Sequence, residues 1–170
     1  METGKTTVIS ALVENKPGVL HSVANLFRRR NFNIESITVG PTQQKDLARI
    51  TITVNEDEKT IEQAVKQLAK LIDVVKVEKL EAGTFVMREL ALIKVNVPST
   101  KERSEIISCV DVFRGRVIDV SSDSLTVEIT GTPDKIDAFL NLMKTTGVLE
   151  LARTGITALA RGTRSIRIDE

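Results

Sequence analysis

Four stretches of the chain carry apolar residues at i, i+3, i+4 and i+7, the spacing that gathers one stripe on one side of a helix. They are Leu20, Val23, Ala24 and Phe27; Ile61, Ala64, Val65 and Leu68; Ile106, Cys109, Val110 and Phe113; and Ile136, Phe139, Leu140 and Met143. Between them the period drops to two. Ile50, Ile52 and Val54 alternate with Arg49, Thr51 and Thr53, and Leu125, Val127 and Ile129 alternate with Thr126, Glu128 and Thr130. Such alternation predicts half-buried strands with one polar face. Start signals agree: Asn55-Glu56-Asp57-Glu58 and Thr132-Pro133-Asp134 place cap residues, early acids and a first-turn proline ahead of the second and fourth helices.

Strand, helix, strand, strand, helix, strand is therefore expected twice, over roughly residues 5–80 and 88–155. LFRRRNFNIESITV has a shortened echo in VFRGRVIDVSS, and TITVNEDEKTIEQAVKQL in TVEITGTPDKIDAFLNLM, which reads as an internal duplication. The order predicts an α+β protein of two ferredoxin-like βαββαβ domains in tandem, each a four-stranded sheet covered on one face by two helices. The first domain is set at 1–80, a linker at 81–87 with its hinge in Leu80-Glu81-Ala82-Gly83-Thr84, and the second domain with a basic tail at 88–170. The uncovered sheet faces are partly apolar, so edge or face pairing between chains, a homodimer, is expected.

Composition narrows the partners. At 170 residues, 41% hydrophobic and 28% charged, the chain is of ordinary globular make-up, and no segment is long and apolar enough to cross a bilayer. Basic and acidic residues balance to a net charge of +1, which removes any general pull toward nucleic acid or a membrane and leaves a small molecule or a protein surface. METGKTTV carries no secretory or transit pattern, and the single Cys109 excludes an intramolecular disulfide, so a cytoplasmic location is expected. Ferredoxin-like sheets also bind RNA, but they do so with exposed aromatics. This chain has no Tyr or Trp, and of its five Phe, Phe27, Phe113 and Phe139 belong to helical stripes.

The candidate chemistry lies in NKPGVLHSVANLFRRRNFNIESITV, from Asn15 to Val39. Pro17-Gly18 at a strand-to-helix connection lets the backbone approach a ligand closely, and the first helical N–H groups, those of Val19 and Leu20, suit a small carboxylate. Asn15 and Asn33 are expected to bring two side-chain amides to the same place, as acceptors for an ammonium group. From the pattern alone, the same Pro-Gly pair is first explained as a tight turn and nothing more. Catalysis is not expected. The one histidine, His21, sits on the outer side of the first helix, Cys109 lies on a core stripe, and no residues have metal-ligand spacing. Gly4-Lys5-Thr6-Thr7 lacks the upstream glycine and flanking elements of a phosphate loop, and Glu56, Asp57 and Glu58 fit a helix N-terminus. Arg28-Arg29-Arg30 reads either as a solvated helix end or as a docking surface, and Arg161 to Arg167 as a frayed basic tail.

The run ENKPGVLHSVANLFRRRNFNIESITVGPT, followed by LARITITV, DEKTIEQAVKQLAKLIDVVKV, REL, VFRGRVIDV, TGTPDKIDAFL and GITALARG, resembles the small regulatory subunit of acetohydroxyacid (acetolactate) synthase over nearly the whole chain. The resemblance implies an N-terminal ACT domain, a homodimer, and a separate catalytic (large) subunit carrying thiamine diphosphate, Mg and FAD, with no cofactor in this chain. It also implies stimulation of that subunit and feedback inhibition by valine in branched-chain amino acid synthesis. The family's effector site falls on Asn15, Gly18, Val19, Leu20, Asn33 and Ile34, with Val19, Leu20 and Ile34 shaping an apolar pocket. The sequence departs where Asn31 stands for a frequent Gly, though Asn also suits a left-handed helix end, and at His21-Ser22. The second domain's equivalent loop, Val97-Pro98-Ser99-Thr100-Lys101-Glu102, has no Pro-Gly, which favours a structural or relaying role there. A free-standing amino-acid sensor acting on another enzyme or regulator is the alternative.

Overall fold

The computed structural model describes residues 6–166, which fall into two units: residues up to Val86 together with 156–166, and Met87–Gly155. Gly4, Lys5 and Arg167, named above, lie outside the described residues. The first unit runs β1 (Thr7–Glu14), α1 (Val19–Arg29), β2 (Ser36–Pro41), β3 (Leu47–Val54), α2 (Glu58–Leu68) and β4 (Val74–Leu80). Its sheet has the order β2-β3-β1-β4, every neighbouring pair antiparallel. The second repeats the plan with β5 (Phe85–Asn96), α3 (Thr100–Val112), β6 (Arg116–Val120), β7 (Ser124–Gly131), α4 (Pro133–Met143) and β8 (Val148–Arg153), in the order β6-β7-β5-β8. The expected pair of βαββαβ folds is what the chain adopts.

The duplication reaches fine detail. Register slips at the same place in both sheets, between Leu12 and Val13 on β1 and between Lys94 and Val95 on β5. Both first helices also end alike. Asn31 (φ 56°) and Arg114 (φ 53°) take the left-handed conformation. The next N–H groups then reach back five residues, Phe32 to the Phe27 carbonyl at 3.0 Å and Gly115 to the Val110 carbonyl at 2.8 Å. Gly115 has a second reason to lack a side chain, because a Cβ there would stand 2.9 Å from Ile129 Cγ1 and 3.0 Å from the Glu128 carbonyl on β7.

Each unit buries its own core between sheet and helices. Ile9, Ala11, Val13, Ile50, Ile52 and Val54 meet Val23, Phe27, Ile61, Ala64 and Leu68 in the first; Ile93, Val95, Val127 and Ile129 meet Ile106, Val110, Ile136 and Phe139 in the second. Three of the four predicted stripes are the buried ones. In α1 the buried set is Val19, Val23 and Phe27, with Leu26 partly buried, while Leu20 and Ala24 face outward. The 81–87 linker shrinks to a turn, closed by the Thr84 N–H on the Glu81 carbonyl at 3.0 Å, since β5 begins at Phe85. The C-terminal segment also departs from expectation. Residues 156–166 belong with the first unit, carry a ninth strand, β9 (Thr157–Ala160), and bury Ile166 against Leu12 and Leu47 on the sheet face away from the helices. On that same face Ser10, Thr51 and Thr53 are buried rather than forming an open polar surface.

Candidate functional site

The loop from Asn15 to Gly18 is tied down at its base and open at its tip. The Asn15 N–H donates to the Asp46 carbonyl at 2.8 Å and the Glu14 N–H to the Asp73 carbonyl at 2.9 Å. The Lys16 ammonium pairs with Glu14 and, at 2.6 Å, with Asp73. The hydrogen bonds it donates to Asp73 and then to Glu14 raise its pKa well above the ordinary lysine value. Gly18 opens α1 at φ +92°, a left-handed cap with no side chain to bond the helix N–H groups. Intrahelical bonding starts with the Ser22 N–H on the Gly18 carbonyl at 2.9 Å. The N–H groups of Val19, Leu20 and His21 precede that bond, so the helix offers them no acceptor, and the helix dipole adds positive potential there. A Cβ built on Gly18 would meet nothing within 4 Å, so the loop is uncrowded at this position.

The other half of the expected site lies elsewhere. Asn33 follows the left-handed end of α1; its N–H points to Glu56 Oε1 at 3.5 Å and its Nδ2 donates to Glu35 Oε1 at 3.2 Å, leaving Oδ1 as an acceptor. Ile34 is half-buried against the first core. Asn15 follows Glu14, which pairs with Leu47, whereas Ser36 just beyond Asn33 pairs with Thr53 at the far end of β3. That is about 20 Å along the strand, and α1 between them is about 16 Å long. A single chain therefore does not bring the amides of Asn15 and Asn33 together, contrary to expectation, because β1 and β2 run parallel and the crossover helix runs from the end of β1, next to Asn15, to the start of β2, next to Asn33. Val19 is corrected too. Its side chain, 4% exposed, belongs to the core, so it offers the site only its N–H, while Leu20 is 48% exposed beside the open loop.

The remaining helix starts sharpen the contrast. Asp57 caps α2 by accepting from the Thr60 N–H at 3.0 Å, and Ser99 caps α3 by accepting from the Glu102 N–H at 3.3 Å. The loop of the second unit that corresponds to Asn15–Gly18 thus satisfies its helix with its own side chain, as the missing Pro-Gly suggested. Thr132 before α4 makes no such bond but is followed by Pro133, which has no N–H to satisfy. The Glu14–Lys16–Asp73 brace escaped sequence reading. Lys16 between Glu14 and Pro17 was the visible half of it; Asp73 is distant in sequence and joins only through the sheet. His21 is exposed and shares a 2.6 Å contact with Asn25, and Cys109 is half-buried on its stripe. Among the described residues no group of His, Cys and carboxylates has metal-binding geometry, and no helix is long and apolar enough to cross a membrane.

Comparison with known proteins covers both units. Residues 9–76 match the family model for the AHAS small subunit-like ACT domain, and residues 88–162 that for the small subunit of acetolactate synthase. A protein of Methanothermobacter thermautotrophicus described as a "Probable acetolactate synthase small subunit" is 57% identical over 161 residues, 95% of this chain and 96% of that one. The acetolactate synthase small subunit of Mycolicibacterium smegmatis is 49% identical over 95% of this chain and 94% of its own. The crystal structure of the acetolactate synthase small subunit from Thermotoga maritima superposes with a TM-score of 0.86 at 48% identity, covering 94% of this chain and 99% of that one.

Proposed function

Because the chain belongs to the acetolactate synthase small-subunit family, with an ACT domain on its N-terminal side, we propose that it stimulates a separate catalytic subunit and makes that subunit sensitive to valine. As a small subunit it is the non-catalytic member of the pair; thiamine diphosphate chemistry, with Mg and FAD, belongs to the large subunit. The proposed place of work is the cytoplasm.

The observation that carries the effector reading is the uncapped start of α1: Gly18 at φ +92°, uncrowded at its position, and helix N–H groups with no side chain to receive them. A carboxylate of an amino acid fits those donors. The ammonium needs Asn15 and Asn33, which one chain holds far apart, so the site is proposed to form between two copies, Gly18 and Leu20 from one and Asn33 and Ile34 from the other. The outward pair Leu20 and Ala24 on α1 and the exposed Val39 on edge strand β2 supply apolar surface for that homodimer. Arg28 and Arg29, exposed and without an ion pair among the described residues, offer the catalytic subunit a cationic surface. Valine inhibits, in this reading, by binding the less activating dimer arrangement more tightly, since equal affinity shifts no population.

Acetolactate formation from pyruvate by the source organism's catalytic subunit, with and without this chain and then with L-valine, tests the reading. Stimulation reversed by valine is expected. Stimulation that valine leaves untouched would retain the partner and remove the effector, whereas no stimulation and no co-elution would leave a free-standing sensor.

A further inference from the structure

Beyond β9 the described C-terminal segment reaches the outer face of the first sheet, next to the strands that flank the effector loop. Arg161 anchors its start, with its N–H on the Thr84 carbonyl at 2.8 Å and its Nε on the Phe85 carbonyl at 3.2 Å. Arg164 Nη2 stands 4.0 Å from Glu78 Oε2, a buried oxygen with no hydrogen bond among the described residues. Ile166 ends the described segment at 4% exposure, packed on Leu12 and Leu47, and its carbonyl accepts from Arg49 Nη2 at 3.5 Å. Arg49 is itself held by a 2.9 Å bond from Nη1 to Ser10 Oγ.

Leu47, under Ile166, is one residue from the Asp46 carbonyl that holds the Asn15 N–H, and it pairs across the sheet with Glu14, the carboxylate that holds Lys16. The seat of the tail, Leu12 and Leu47, therefore adjoins the base of the loop, Glu14 and Asp46. We propose that Ile166, seated with the help of Arg49, is a positioning residue for the effector loop: the tail acts as a strap that fixes the start of β3, beside which the Asn15 N–H is held and across which Glu14, a partner of Lys16, is paired, and so sets the affinity for the amino acid. This rests on the effector reading above. A strap seated on the sheet by one apolar side chain and a 3.5 Å bond to its carbonyl opens more readily than the core beneath it, so its seating and the ordering of the loop are coupled, and coupling is reciprocal. An amino acid that orders the loop must tighten the strap.

The test uses the full chain and two readouts: titration with L-valine, and hydrogen exchange of the Asn15 amide without ligand. Ile166→Asp is expected to weaken L-valine binding by roughly three- to tenfold and to speed exchange at Asn15, while leaving valine-free stimulation of the catalytic subunit unchanged. Ile166→Val keeps the apolar seat and should restore parent values of both, and a thermal melt separates unseating from unfolding. By reciprocity, L-valine should slow tryptic cleavage after Arg161 and Arg164 in the parent. Parent-like affinity and exchange in Ile166→Asp would overturn the proposal. A parent that takes up no L-valine would sink the effector reading, and exchange at Asn15 would still decide the strap: faster in Ile166→Asp sustains it, unchanged refutes it.

Discussion

Gly18 owes its identity to backbone conformation, not to crowding. At φ +92° an L side chain is strained, yet a Cβ would touch nothing within 4 Å. Gly18→Ala is thus expected to cost about 1–2 kcal/mol of stability from strain alone, and Gly18→Asn less, because Asn tolerates the left-handed region. Urea midpoints of the two variants check the order, and both should bind L-valine more weakly than the parent. A second residue-scale case is Glu89, whose side chain is 4% exposed and pairs with Arg153, itself bonded to Asp137 at 2.7 Å. Arg153→Ala strands a buried carboxylate and is expected to cost about 3–5 kcal/mol. Glu89→Gln leaves Arg153 with Asp137 and should cost clearly less, so the ratio of the two losses in denaturant melts is the check. Of the runs that carried the family resemblance, REL and FRG serve here as structure: Glu89 in an ion pair and Gly115 in a close helix-to-strand approach.

Single elements were legible where the signal is local. Asp57 three residues before Thr60 marks the start of α2, and the structure places that bond. Bonds from the Thr60 side chain, then its backbone N–H, hold the Asp57 carboxyl below the usual range. A depressed folded pKa means the contribution is present above the unfolded value of about 3.9 and is lost as pH falls through the folded value. The acid limb of a melting-temperature profile should therefore fall less steeply for Asp57→Asn, which keeps the cap and removes the charge. The α1 stripe was misread for an equally local reason. VLHSVANLF holds two overlapping stripes that share Val23 and Phe27, one completed by Leu20 and Ala24 and the other by Val19 and Leu26, and helix periodicity cannot choose between neighbours 100° apart. The sheet chooses, by burying Val19, Val23 and Phe27.

At the scale of the whole molecule, the distance between Asn15 and Asn33 makes the proposed site a property of two chains. An Asn15→Ala dimer and an Asn33→Ala dimer should each lose L-valine binding at both sites. Mixed after unfolding and refolding together, they should regain it at about one site in four, because each mixed dimer rebuilds one intact site and concentrates both lesions in the other. No regain on mixing, with both variants dimeric by sedimentation, would mean that the two amides do not share a site.

By itself the amino-acid sequence determined the features that depend on neighbours a few positions away: two copies of strand-helix-strand-strand-helix-strand, the cap at Asp57 and the first-turn proline of α4, the left-handed Asn31, and the lack of a Pro-Gly loop in the second unit. It also carried the family, through motifs spread over most of the chain. Only tertiary structure decided which α1 stripe is buried, that Lys16 reaches Asp73, and that Ile166 returns to Leu12 and Leu47. Each of these is settled by strand direction and register between segments distant in sequence, and a periodic pattern along one segment holds no record of what another segment will bring against it.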